Sequence, residues 1–308
     1  MATAVKWQNP DTTADGKRRA AVEPETLDTL WFNTGTLCNL ECAHCYIESS
    51  PKNDRLVYLT EQEVRPYLEE IRRDNLGTRE IGFTGGEPFL NPEIIPMTRA
   101  CLTEGFDVLI LTNAMKPLEN RRAELLALKE KFGGRLALRV SLDHYTQEVH
   151  DQERGKGSFA KTLQGLAWLS EKGFALSVAG RSLTDETPEQ TKIGYQALFD
   201  AEVVTLDARD ARHLMIFPEM NERADLPEIT TDCWGILNIK PSSVMCATSR
   251  MIVKRKGDPK PSVVACTLLP YDARFSMGET LKDARRPVRL NHPHCASFCV
   301  LGGASCAG

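Results

Sequence analysis

Three cysteines crowd one short segment, Thr36-Leu-Cys-Asn-Leu-Glu-Cys-Ala-His-Cys-Tyr46. Cys38, Cys42 and Cys45 are separated by three and then two residues, just after an apolar run. That spacing can wrap three thiolates around one face of an iron–sulfur cube and leave the fourth iron without a cysteine, open to bind and activate a ligand. A zinc knuckle competes for the same residues. Structural zinc takes four ligands, no fourth cysteine is near, and His44 would have to serve. Three unrelated thiols are the plain alternative.

A second segment, Ile81-Gly-Phe-Thr-Gly-Gly-Glu-Pro88, reads as a buried strand running into a glycine turn. Gly85 and Gly86 let the backbone approach a ligand closely, and Glu87 offers an anionic acceptor to an ammonium group. Together the two segments resemble the signature of the radical S-adenosylmethionine enzymes, which pairs a C-x3-C-x2-C loop with a GGEP turn about one βα unit later. The resemblance implies a 4Fe-4S cluster on Cys38, Cys42 and Cys45 whose open iron chelates the amino and carboxylate groups of S-adenosylmethionine. It also implies one-electron cleavage of that cofactor to methionine and a 5′-deoxyadenosyl radical, which removes a hydrogen atom from a C–H bond. His44 stands where many relatives carry an aromatic residue against adenine, and an imidazole can also stack there. Tyr46 either shares that role or belongs to the core.

The elements that must position these groups follow from the hydrophobic pattern. Short apolar runs alternate with helical ones from Trp31 to about Phe217, as in a parallel sheet built from βα units. The expected strands are Leu30–Thr34, Glu80–Thr84, Val108–Thr112, Leu136–Leu142, Ala175–Gly180 and either Val203–Leu206 or His213–Phe217. Helices are expected near Glu61–Arg73, Pro92–Glu104, Arg121–Lys131, Phe159–Lys172 and Pro188–Asp200, the first opened by a Thr60/Glu63 capping box. Six such units match the partial (β/α)6 barrel that the resemblance implies, an α/β fold with its chemistry at the carboxyl ends of the strands. The domain reading is a polar tail over residues 1–26, the barrel over 27–220 and a small C-terminal iron–sulfur extension over 221–308.

Further strand ends carry polar residues where the resemblance needs them. Asn113 follows the third strand, and Ser141 and Asp143 end the fourth, placed to meet the ribose or carboxylate of the cofactor, although Asn113 and Ser141 serve equally as strand-end caps. The stretch His150-Asp-Gln-Glu-Arg-Gly-Lys-Gly-Ser-Phe159 is similar to one found in family members that modify peptides and proteins. Arg154 within it suits bidentate pairing with a carboxylate, or is simply a solvated charge. Arg181, after the fifth strand, competes for the same anion.

The last third holds six of the ten cysteines. Cys246 and Cys266 flank a segment that reads as a β-hairpin, which brings its two ends together. Cys295, Cys299 and Cys306 lie near the carboxyl terminus. This region resembles the SPASM or shorter twitch extension of the family, which implies at least one auxiliary iron–sulfur cluster. The ligands chosen are Cys246, Cys266, Cys295 and Cys299, with Cys306 and Cys233 in reserve, because two fully cysteine-ligated clusters would need eight thiolates. Structural zinc is the alternative for this module. The hairpin turn is longer than in the family, and of its C-x2-C-x5-C-x3-C run only Cys295-Ala-Ser-Phe-Cys299 is present. Cys101 falls inside an expected helix and reads as a small apolar residue.

Composition bounds the function. A formal charge of −4 over 308 residues gives no electrostatic footprint for nucleic acid. No apolar run reaches the length of a membrane span, and the first residues lack the apolar core of a secretory signal. A cytoplasmic protein with metal-ligating rather than disulfide-bonded cysteines is expected. The implied partners are a peptide, protein-segment or small-molecule substrate and a flavodoxin- or ferredoxin-like electron donor. Oxidative modification of a peptide or protein side chain leads, followed by action on a small metabolite. A non-catalytic iron–sulfur or zinc protein is the reading from another class.

Overall fold

The structure, a computed structural model, describes residues 5–221 and 224–304. Its strands are β1 (Ala21–Val22), β2 (Thr29–Asn33), β3 (Glu80–Thr84), β4 (Asp107–Thr112), β5 (Leu136–Ser141), β6 (Ala175–Arg181), β7 (Leu214–Phe217), β8 (Ser249–Val253), β9 (Ser262–Val264) and β10 (Val288–Arg289). The α-helices are α1 (Glu61–Arg73), α2 (Ile94–Thr103), α3 (Lys116–Glu119), α4 (Arg122–Phe132), α5 (Gln147–Arg154), α6 (Ser158–Glu171), α7 (Pro188–Ala201) and α8 (Cys233–Ile236).

Eight strands make one sheet in the order β7-β6-β5-β4-β3-β2-β8-β9. From β2 to β7 each strand pairs in parallel with the next one along the chain. This is how a βα barrel winds, and because β7 and β9 do not pair with each other the barrel stays open. The expected α/β partial barrel is therefore what forms.

The strands are short apolar runs because both of their faces are covered. All five residues of β2 are buried. Gly82 on β3 leaves room for Trp31, since a methyl group there would lie 2.3 Å from the indole ring. Phe32 stacks on Phe83 across the same strand pair, with ring centroids 5.9 Å apart. At the start of α1 the expected Thr60/Glu63 capping box forms, the Glu63 carboxylate accepting from the backbone N–H and hydroxyl of Thr60 at 3.0 and 3.1 Å.

Three local features differ from the sequence expectation or decide it. Of the two candidates for the sixth strand, Leu214–Phe217 forms it. Residues 203–206 cannot, since Val203 is turned into the left-handed region at φ 55° where the chain leaves α7. Helix α2 begins at Ile94 rather than Pro92, because the Asn91 side chain is tied to the Thr34 and Leu59 carbonyls and accepts from Glu93 N–H. Helix α5 was not expected. Its residues QEVHDQER show no apolar stripe, which is the signal a surface helix needs to be read from sequence.

Beyond the barrel, β8 pairs in parallel with β2 and antiparallel with β9, so the hairpin between Cys246 and Cys266 extends the barrel sheet. Strand β1 pairs with β10, and Arg19 forms a buried ion pair with Glu228, which lays the N-terminal segment against residues of the last third. Among the described residues no helix is long and apolar enough to cross a membrane.

Candidate active site and a second cysteine pocket

The carboxyl ends of the parallel strands open onto a cavity of about 160 Å³. Its walls include Cys38, Cys42 and Cys45, Gly85 and Gly86, Asn113, Ser141, Asp143, Arg154 and Arg181. Residues far apart in sequence thus meet because they lie at the strand ends of the same barrel or in the segments that follow, Arg154 at the end of α5.

The glycine turn is locked onto the approach to the cysteine loop. Gly86 N–H donates to Gly35 O at 2.8 Å and Glu87 N–H to Leu37 O at 3.1 Å. The fit leaves no room for side chains: a Cβ on Gly85 would lie 2.5 Å from Gly35 O, and one on Gly86 would lie 2.1 Å from Leu37 O. Gly85 also has φ 134°, a conformation that favours glycine.

Two backbone N–H groups reach the loop's own sulfurs, Leu40 to Cys38 Sγ at 3.4 Å and Ser49 to Cys45 Sγ at 3.3 Å. Burial pushes the Cys38 thiol up to about 12 and raises Cys42, the latter against the pull of Arg154. Such thiols ionise when they coordinate a metal, and soft thiolates suit iron–sulfur clusters. Structural zinc takes four protein ligands. His44, the one candidate for a fourth ligand, has its Nδ1 engaged by the Glu153 carboxylate at 2.6 Å. Three cysteine thiols without a fourth ligand beside them are the donor set that fits a cube with one open iron.

The polar wall is a network. Arg154 holds Asp143 through two hydrogen bonds, and Arg181 Nη1 donates to Glu153 at 2.8 Å. Burial raises the Asp143 carboxyl, but the charge and hydrogen bonds of Arg154 outweigh it and hold it below the usual range. Asn113 Nδ2 donates to Asn39 Oδ1 of the cysteine loop at 2.9 Å. Ser141 reaches the wall from the end of β5, and Tyr46 lines the cavity while 38% exposed, outside the core.

Glu87 differs in role from its neighbours. Its carboxylate accepts from Asn113 N–H at 2.8 Å, Thr112 Oγ1 at 2.9 Å and Phe89 N–H at 3.2 Å, and it is absent from the cavity wall. Burial, opposed by these bonds, raises its carboxyl to about 7. The side chain fastens the end of β4 to the glycine turn, and the turn's backbone is what faces the cavity.

A second pocket collects four thiols from distant parts of the chain. Cys246, Cys266, Cys295 and Cys299 line it together with Leu268, Phe275 and His294. The hairpin supplies the first two, and a π-helix over Cys295–Val300 supplies the others four residues apart on one turn. The same helix sends Phe298 into the first cavity, and Leu268 lines both. Burial raises the Cys246 thiol to about 11 and Cys295 well above its ordinary value. Cys233 stands apart, accepting from Thr230 N–H at 3.4 Å. Cys101 is fully buried in α2, and Cys306 lies outside the described residues.

Sequence reasoning missed Glu153 and the work of Asp151. The Asp151 carboxylate accepts from the N–H groups of Gly157 and Phe159, both at 2.8 Å, and from Ser158 Oγ at 3.1 Å, fastening the start of α6. An acidic residue shortly before Gly-Ser ahead of an apolar helix is a capping signal that could have been read.

A profile described as the Radical SAM superfamily matches residues 32–192, just over half of the chain. Among curated proteins, the chain is 35% identical over 143 residues to the antilisterial bacteriocin subtilosin biosynthesis protein AlbA of Bacillus subtilis, covering 46% of this chain and 30% of that protein. It is 32% identical over 138 residues to the mycofactocin maturase MftC of Mycobacterium ulcerans, covering 45% and 35%. The chain thus spans about a third of the length of these relatives. The crystal structure of Streptococcus suis SuiB bound to S-adenosylmethionine superposes with a TM-score of 0.59 at 12% identity, over 83% of this chain and 63% of that one, which is a likeness of fold.

Proposed function

The chain belongs to the Radical SAM superfamily, and from that premise we propose that it is an enzyme that cleaves S-adenosylmethionine reductively and abstracts a hydrogen atom from a peptide or protein side chain, oxidising it. One observation carries the reading. The three-cysteine loop, the Gly85–Gly86 backbone and the strand-end residues Asn113, Ser141, Asp143, Arg154 and Arg181 all line a single cavity.

When bound, a 4Fe-4S cluster and S-adenosylmethionine supply one-electron cleavage to methionine and a 5′-deoxyadenosyl radical. The protein holds and orients. Cys38, Cys42 and Cys45 would ligate the cluster. Gly85 and Gly86, whose backbone lines the cavity, would offer carbonyl oxygens to an ammonium, while Arg181 offers donors to a carboxylate. Ser141 and Asn113 are hydrogen-bonding partners for ribose hydroxyls. Phe217, Met220, Leu268 and Phe298 give the cavity an apolar side that excludes water from a reactive radical.

Cys246, Cys266, Cys295 and Cys299 would hold an auxiliary iron–sulfur cluster in a SPASM- or twitch-like extension. The choice of a peptide follows the relatives, which are named for bacteriocin biosynthesis and mycofactocin maturation. A flavodoxin- or ferredoxin-like donor and a cytoplasmic setting, where thiols stay reduced, complete the proposal.

The test is anaerobic reconstitution. A brown protein with about eight irons per chain that releases 5′-deoxyadenosine with dithionite supports the reading. A colourless protein binding zinc, or an iron protein that leaves S-adenosylmethionine intact, refutes it.

A further inference from the structure

The last turn of α5 touches three parts of the cavity wall at once. Glu153 is buried, at 7% exposure. Its backbone carbonyl accepts from Ala43 N–H at 2.8 Å, and its carboxylate lies 2.6 Å from His44 Nδ1 and accepts from Arg181 Nη1 at 2.8 Å. Ala43 and His44 are the two residues between Cys42 and Cys45. The tautomer of His44 sets which partner donates in this bond.

Other anchors of the loop show where this contact acts. Cys38 N–H reaches Ser50 O at 3.1 Å and Glu48 N–H reaches Cys45 O at 2.8 Å, both within the loop and its return. Asn113 ties its first half to the barrel through Asn39. Glu153 ties Ala43 and His44, and Tyr271 Oη holds the chain beyond Cys45 by donating to Ile47 O at 2.8 Å. The two guanidinium groups on the wall also differ: Arg154 closes a two-bond fork on Asp143, whereas Arg181 gives only Nη1 to Glu153 and keeps other donors for an anion.

We propose that Glu153 is a positioning residue that fastens the middle of the three-cysteine loop to the Arg181 guanidinium. One buried carboxylate thereby fixes the spacing between the thiols that would hold the cluster and the cation that would receive the carboxylate of S-adenosylmethionine. This rests on the S-adenosylmethionine reading proposed above. Glu153 needs no contact with the cofactor, since it acts through His44 and Arg181 in the manner of an outer-shell partner that orients ligands.

The experiment compares wild type, Glu153→Ala and Glu153→Gln, each reconstituted anaerobically. In Glu153→Ala the iron content should hold. The KM for S-adenosylmethionine in dithionite-driven 5′-deoxyadenosine release should rise about 10-fold with kcat little changed, and the change that S-adenosylmethionine induces in the EPR signal of the reduced cluster should need about 10-fold more S-adenosylmethionine to appear. In the metal-free protein, amide hydrogen exchange across residues 42–46 should speed up. Glu153→Gln should restore much of the protection, because its amide oxygen still accepts from Arg181 and its amide donates to the His44 tautomer whose Nδ1 accepts. An alanine variant with wild-type KM, EPR response and exchange overturns the proposal. Should the alanine variant fail to fold, His44→Ala, which removes one partner only, must give an intermediate KM, and a wild-type KM there overturns it as well. If wild type itself does not cleave S-adenosylmethionine, the reading of the previous subsection fails, and the exchange comparison still judges Glu153 on its own.

Discussion

The Arg154 guanidinium closes on the Asp143 carboxylate as a matched fork, Nε to Oδ2 at 2.7 Å and Nη2 to Oδ1 at 2.9 Å. The side chains are only 15% and 3% exposed, so the pair is shielded from the solvent that weakens surface ion pairs. It joins the carboxyl end of β5 to the end of α5, beside the cysteine loop.

Removing one partner from this pair strands the other. Arg154→Leu should cost about 3–5 kcal/mol by leaving a buried carboxylate uncompensated, read by urea unfolding of the metal-free protein under anaerobic conditions. Arg154→Lys should recover only part of it, because an ammonium cannot form the fork. A loss under about 1 kcal/mol in the leucine variant, the worth of an exposed pair, would mean that the fork does not hold these elements together.

The glycine turn should be as unforgiving as its geometry. In Gly86→Ala the added methyl would stand 2.1 Å from Leu37 O, a backbone atom that cannot swing aside. The approach to Cys38 must then shift. Iron after reconstitution should drop from about eight to about four per chain as only the second site fills, and full occupancy in this variant would show that the turn does not shape the first.

The two cysteine pockets should separate by function. Cys42→Ala should abolish 5′-deoxyadenosine release, whereas Cys246→Ala should retain part of that release and lose product. Both are measured by liquid chromatography of the nucleoside and, once a substrate is known, mass spectrometry of the product. Equal and full activity in both variants contradicts the division of labour.

Acid should destabilise the barrel through α5. His150 is fully buried, neither ring nitrogen has a hydrogen-bond partner, and burial lowers its imidazole to about 4. Its folded-state value lies below the unfolded value of about 6.5, so the unfolded chain binds the extra proton in between. Stability from this residue is therefore complete above pH 6.5 and falls as pH drops toward 4, by about 2 kcal/mol at pH 5. Phe in its place keeps the edge contact with Phe159, whose ring centroid lies 5.5 Å away. The wild-type minus His150→Phe difference in unfolding free energy should shrink by that amount between pH 7 and pH 5. A pH-independent difference would show that His150 is protonated without penalty. Glu87, raised to about 7, contributes the opposite slope in both proteins and cancels in the difference.

The amino-acid order alone determined the barrel and pointed to the three-cysteine loop and the glycine turn as one candidate site. Apolar runs of strand length recur between helical segments, and that local periodicity survives folding because each strand is buried on both faces. The cysteine spacing and the glycine turn were legible for a similar reason. Cys38, Cys42 and Cys45 sit in one loop, and Gly85 and Gly86 in one turn, so short-range geometry already constrains them. Tertiary structure decided the rest, because those contacts join residues whose separation along the chain carries no signal. Glu153 meets His44 across 109 positions, and α5, which brings it there, lacks an apolar stripe. Glu87 reads from sequence as an anionic acceptor for an ammonium, and the structure shows its carboxylate buried and accepting three hydrogen bonds, two of them from the end of β4 and the residue after it. Which of the late cysteines share a pocket was likewise settled only when the hairpin and the π-helix packed against each other.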